Sequence, residues 1–142
     1  MHCALDLSPL RQALTSLEDS LQVVADEAWL QNQSAAVRNT LFAGVVKHFA
    51  LVYELGMKML RRQIEAESAT PGETDQLGFR DLLRVGAEKG LIGDVEAWFR
   101  YRQMRGTTSH TDNLAQTRQV HEGIRPFLTD ARALLNALEQ RI

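Results

Sequence analysis

The chain has 142 residues, a formal net charge of −2, 44% hydrophobic and 24% charged residues, a composition that suits one domain, spanning 1–142, around one buried core. This balance excludes a globally basic nucleic-acid binder and leaves room only for a local basic patch. The single cysteine, Cys3, excludes an intrachain disulfide and a cysteine-based metal site. No apolar run reads as long enough to cross a bilayer and no signal-peptide pattern opens the chain, so a cytoplasmic protein without membrane contact is expected.

Prolines fall only at 9, 71 and 126, and Ala, Leu, Glu, Gln and Arg dominate. These are strong helix formers, and no alternating strand pattern competes with them. The first helix is expected from about Ser8, with Pro9 in its first turn. Leu10, Leu14, Leu17, Leu21 and Val24 recur at spacings of three and four, which makes one apolar stripe. The polar run Gln31-Asn32-Gln33-Ser34 reads as a loop whose last residue caps the next helix.

The second helix, about Ala35 to Glu67, is the longest. Val37, Leu41, Val45, Phe49, Val52, Leu55, Met59 and Leu60 keep its helical period. Glu54 and Lys58 stand four apart on it, in the favourable order for an ion pair. Ser68 to Gly78 reads as a polar, acidic, mobile surface loop around the turn signal Pro71-Gly72. A third helix covers Phe79 to Lys89, with Gly90 as its left-handed terminator. Leu91 and Ile92 then pack down before Asp94 caps a fourth helix, on which Val95, Trp98, Phe99 and Arg102 share a side. That helix is expected to break at Gly106. The last helix starts near Thr111 or Asp112 and buries Leu114, Val120, Ile124, Phe127, Leu128, Leu134, Leu135 and Leu138, with a kink or short break at Pro126. The sum is an all-α protein: an antiparallel up-and-down bundle of four to five helices.

Chemistry concentrates at the end of the fourth helix. Arg100, Arg102 and Arg105 make it basic, and His110 follows after a short polar run. Lysine occurs only at 47, 58 and 89, so the basic residues are mainly the type suited to planar, bidentate contact with phosphate. Arg105 can hold a phosphate and His110 can move a proton near neutral pH. The pair fits metal-independent RNA cleavage by an activated 2′-hydroxyl. By spacing alone a plain helix–loop–helix cap accounts for the pair better, since arginine is abundant here. Arg102 is a phosphate ligand or a pin for Glu54. Ser109 adjoins His110 as a further phosphate-binding candidate, and His48 lies among apolar residues and reads as packed. No His/Asp/Glu set has metal-ligand spacing and no Gly-rich phosphate loop occurs, so neither a metal nor a cofactor is expected.

The run Trp98-Phe99-Arg100-Tyr101-Arg102-Gln103-Met104-Arg105-Gly106-Thr107-Thr108-Ser109-His110-Thr111 resembles the signature of the HEPN superfamily, and within it the nucleotidyltransferase substrate-binding protein family. Val46 to Lys58, with Tyr53-Glu54-Leu55 and Lys58, and Gly90-Leu91-Ile92 followed by an acid and a Trp, are similar to the same family. The matches run from about residue 42 to the C-terminus. The resemblance implies a helical bundle that forms a homodimer with its Arg–His loops facing one cleft, lined in addition by Glu54 and Lys58. It implies a minimal nucleotidyltransferase as partner, encoded nearby in a two-gene module of toxin–antitoxin type, and RNA or a nucleotide as ligand. In some relatives the helical protein is an RNase silenced by AMP transfer to a tyrosine two residues after the histidine. This sequence departs from the pattern twice: Gly106 stands where a polar residue, often Asn, is usual, and Asp112 stands at the tyrosine's place. Three readings follow: a substrate-binding subunit for the nucleotidyltransferase, an RNase using Arg105 and His110, or a non-catalytic oligomeric scaffold.

Overall fold

The computed structural model describes residues 5–70, 72–108 and 114–141, with side chains for all of these except 107–108 and 114–121. The helices are α1 (Ser8–Ala25), α2 (Glu27–Gln31), α3 (Ala35–Glu67), α4 (Phe79–Glu88), α5 (Val95–Thr108) and α6 (Leu114–Glu139), with a 3-10 turn at Glu73–Gln76. No strand occurs among the described residues. The short helix α2, between the first two long helices, is the one that the sequence pattern does not announce. Asp26 follows the end of α1, and its carboxylate accepts the Trp29 N–H at 3.1 Å, so the residue that stops one helix caps the next. Ser34 caps α3 by accepting the Val37 N–H at 3.2 Å.

The four long helices alternate in direction. Phe49 of α3 packs on Phe127 of α6, and Glu67 at the end of α3 binds Arg141 beyond the end of α6, so α3 and α6 run together. Arg11 and Glu18 of α1 meet Glu139 and Arg132 of α6, in that order, so α1 runs against both. Tyr101 of α5 meets Asp130 of α6, and Met104 lies beside Gly123, so α5 also runs against them. The pair α3–α6 forms the centre, α1 and α5 flank it, and α4 packs on α3 and α5. All of α1's expected stripe is buried, as are Val45, Phe49, Val52, Met59 and Leu60 of α3.

Several local expectations are corrected. The α5 helix does not break at Gly106 but continues to Thr108. Of the kink or short break expected at Pro126, the break is absent, since α6 is helical from Leu114 to Glu139 with Pro126 inside it and exposed. The 68–78 loop is tied down rather than free. Glu65 accepts the N–H groups of Gly72 and Thr74 at 2.9 and 3.2 Å, Arg61 donates to the Thr74 carbonyl at 3.2 Å, and Thr74 itself is buried. Gly72 takes φ +81° there, a conformation that favours glycine. By length and composition, Ala35–Ala66 reaches the range of a membrane span, with a mean hydropathy of 1.2, contrary to the expectation that no segment would. In this fold its apolar stripe is the seam on which α1, α5 and α6 pack.

Candidate anion-binding site at the end of α5

An aromatic cluster fixes α5. Phe127 of α6 packs edge-on against Phe49 at 4.7 Å, Tyr101 at 5.0 Å and Trp98 at 5.9 Å between ring centroids. Such T-shaped pairs add to the stabilisation from the area each ring buries. Trp98 and Tyr101 are nearly fully buried, and the Tyr101 hydroxyl donates to the Asp130 carboxylate. Burial first, then that hydrogen bond and the adjacent negative charge, push the Tyr101 phenol well above its ordinary value. Close approach at Gly123, where an added Cβ would lie 2.9 Å from the Met104 Cε, lets α5 settle on α6.

Arg105 is four residues beyond Tyr101, on the same face of the helix. Its Nε donates to Glu54 Oε1 at 3.0 Å, and Nη2 reaches the same oxygen. The two side chains keep 30% and 54% of their surface exposed, so the pair contributes at most about 1 kcal/mol to stability. Its consequence is orientation: the guanidinium is held over the middle of α3. Tyr53, buried beside Glu54, feels the same charges. Burial raises its phenol, and Arg102 and Arg105 partly offset that.

The structure thus brings Glu54 and Arg105 together across helices. It does not pair Glu54 with Lys58, which is exposed one turn further along α3. Arg102 does not pin Glu54 either; its guanidinium sits over the Phe79 ring at 4.3 Å. His48 is half-buried, and its Nδ1 lies 3.1 Å from the Ser20 hydroxyl, a packing role. His110 and Ser109 lie outside the described residues, as does Asp112. Gly106 is exposed with open space at its Cβ position. Among the described residues no group of three or more His, Cys, Asp or Glu is placed to hold a metal ion.

Two features carry no signal in the sequence. Asp130, the partner of Tyr101, lies 29 residues away, and no local pattern pairs them. Phe79 and Phe99 form a T-shaped pair at 5.5 Å, with Arg80 over Phe99 at 4.8 Å and Arg102 over Phe79. Both rings are legible as apolar positions, but their arginine partners are not.

The class is therefore an all-α bundle that presents a carboxylate-held arginine near the end of α5, five residues ahead of a histidine in sequence. The chain belongs to the nucleotidyltransferase substrate-binding protein family: a match to the family described as "Nucleotidyltransferase substrate binding protein like" spans residues 5–140. It is 38% identical over 137 residues to a protein of Haemophilus influenzae named "Probable ribonuclease HepT", covering 96% of this chain and 94% of that one. A solved structure from the same organism, described as the fold of a substrate-binding domain of a nucleotidyltransferase, superposes with a TM-score of 0.91. It is 36% identical, and the match covers 94% of this chain and 99% of that one.

Proposed function

We propose that this chain is the substrate-binding subunit of a minimal nucleotidyltransferase, acting as a cytoplasmic homodimer in a two-gene module of toxin–antitoxin type. The observation that carries the reading is the cross-helix Glu54–Arg105 pair, which holds a cation in place beside α3 before any ligand arrives. A guanidinium already oriented loses less freedom on meeting a phosphate than a free side chain does. The family membership supports the partner class. Co-expression with the nucleotidyltransferase encoded beside it tests the reading: a stable complex is expected, and failure of the two to co-purify would overturn it.

A second reading is favoured by the relative named as a ribonuclease. In it His110 takes the proton of a ribose 2′-hydroxyl, the 2′-oxygen attacks the adjacent phosphorus, and the bond from phosphorus to the 5′-oxygen breaks. The departing 5′-oxygen takes up a proton from solvent, and a cyclic phosphate remains. Arg105 stabilises charge on the phosphate. Cleavage of RNA by the purified chain in EDTA, lost in His110→Ala, would establish this reading. No cleavage by an intact protein would refute it.

A further inference from the structure

The α4–α5 ridge carries two arginines in an unusual environment. Arg80 and Arg102 are exposed, and each lies over a phenylalanine ring. Among the described residues neither forms an ion pair, a condition shared with Arg38, Arg61, Arg62, Arg100 and Arg125; what distinguishes the two is the ring beneath each guanidinium. Contact with half-buried Phe79 and Phe99 holds each guanidinium against a ring and leaves its outer side to solvent. The α4 helix begins at Phe79, and no side chain caps its first N–H groups, so a helix N-terminus adds positive potential beside Arg80. Asp81 in that first turn is paired with Arg84.

These groups line up with the site already described. Arg80 over Phe99, Phe99 against Phe79 and Arg102 over Phe79 make a continuous row, and Arg105 stands three residues beyond Arg102 on α5, a spacing that makes the two neighbours on the helix surface. From Phe99 to Arg105 the α5 axis advances about 9 Å at 1.5 Å per residue. A strip of this kind matches an extended polyanion with flat, stackable groups better than a lone anion. Phosphates would lie along the guanidinium edges, and bases would stack on guanidinium faces backed by the phenyl rings.

We propose that the Arg80–Phe99–Phe79–Arg102 ridge is a binding track for single-stranded RNA that leads into the Arg105 site. The proposal rests on the reading of Arg105 as an anion-binding residue, but it is measured separately from complex formation with the nucleotidyltransferase.

The test uses the full-length chain carrying His110→Ala, which keeps the RNA intact, and a fluorescein-labelled oligouridylate of about a dozen nucleotides, within the usual site sizes for single strands. Anisotropy is followed at several salt concentrations. Arg80→Ala and Arg102→Ala are each expected to weaken binding about five- to fifty-fold. Each should also flatten the slope of log affinity against log salt by about 0.7. Arg80→Lys should recover the slope but not the full affinity, because lysine keeps the charge without the stacking plane. Arg132→Ala, on the α1–α6 side, should change neither. Unchanged affinity and slope in both Arg80→Ala and Arg102→Ala, with helicity intact by circular dichroism, would overturn the track. So would an equal loss in Arg132→Ala, which would mean diffuse electrostatics. A protein that co-purifies with the nucleotidyltransferase yet binds no RNA refutes the track alone. One that binds RNA on the ridge yet fails to co-purify with the nucleotidyltransferase refutes the proposed function alone.

Discussion

Replacing Tyr101 with Phe removes one oxygen and leaves the ring in place. Tyr101 is 2% exposed, and its hydroxyl donates to the Asp130 carboxylate across α5 and α6. A hydrogen bond to a charged group contributes about 1.5–3 kcal/mol, and the loss is largest when the abandoned partner is shielded from water; Asp130 is half-buried. Aromatic packing against Phe127 and Trp98 survives the change, so the loss is that of the polar contact alone. For a chain of this size the cost corresponds to a drop of about 5–10 °C in Tm. A second readout follows from the raised phenol. A group whose folded-state pKa lies above its unfolded value stabilises the fold fully below the unfolded value, here 10.0, and that contribution is lost as pH rises through the folded value. Wild-type protein should therefore lose stability above pH 10.0, and Tyr101→Phe should lose less over the same range, with the raised Tyr53 phenol acting in the same direction in both proteins. Urea unfolding at neutral and alkaline pH measures both effects. A variant within about 0.5 kcal/mol of wild type, with an unaltered alkaline limb, would refute the assignment of Tyr101–Asp130 as the brace between α5 and α6.

The far end of the bundle offers another test. Burial pushes the Glu67 carboxyl up, but Gln63, Lys89 and Arg141 outweigh it and hold the group below its ordinary value of 4.5. Its stabilisation is present above pH 4.5 and lost as pH falls through the depressed value. Glu67→Gln should thus cost about 1 kcal/mol at neutral pH and narrow the gap to wild type in acid; equal loss at every pH in thermal melts would contradict this. Gly106→Ala, with open space at the Cβ position, should raise stability by about 0.5–1 kcal/mol in urea titrations. Gly123→Ala should gain less because Met104 must move, and a larger gain at 123 than at 106 would overturn the close approach of α5 to α6. Glu54→Gln keeps an acceptor for Arg105 and removes the competing charge, so it should leave Tm within about 2 °C and bind inorganic phosphate more tightly than wild type. Glu54→Ala also loses the acceptor and should bind phosphate more weakly than Glu54→Gln; equal affinity in the two variants would mean that orientation by residue 54 contributes nothing.

Where the signals are local, the chain alone places the helices. The Ser34 cap, the α3 boundaries at Ala35 and Glu67, the Gly90 terminator at φ +76° and the Asp94 cap, which accepts the Ala97 N–H at 3.2 Å, all follow from residues close together in sequence. Arg105 is legible for the same reason, as the last of the closely spaced cations Arg100, Arg102 and Arg105 toward the end of α5. What each side chain meets is a matter of packing. Glu54 has a helical neighbour at Lys58, yet it pairs with Arg105, 51 residues away. An exposed intrahelical pair gains only a few tenths of a kcal/mol, too little to compete once packing of Trp98, Tyr101 and Phe127 has brought another cation over the carboxylate. The 68–78 loop likewise reads as free, because its anchors, Arg61 and Glu65, lie on the preceding helix and reach it only after the chain has folded back. Gly106 looks like a helix breaker by composition, but α5 continues through it, since a cost of about 1 kcal/mol for one glycine is small beside a helix already held by its aromatic face. Periodicity and caps fix where helices are; which charges meet is set by the burial that brings the helices together.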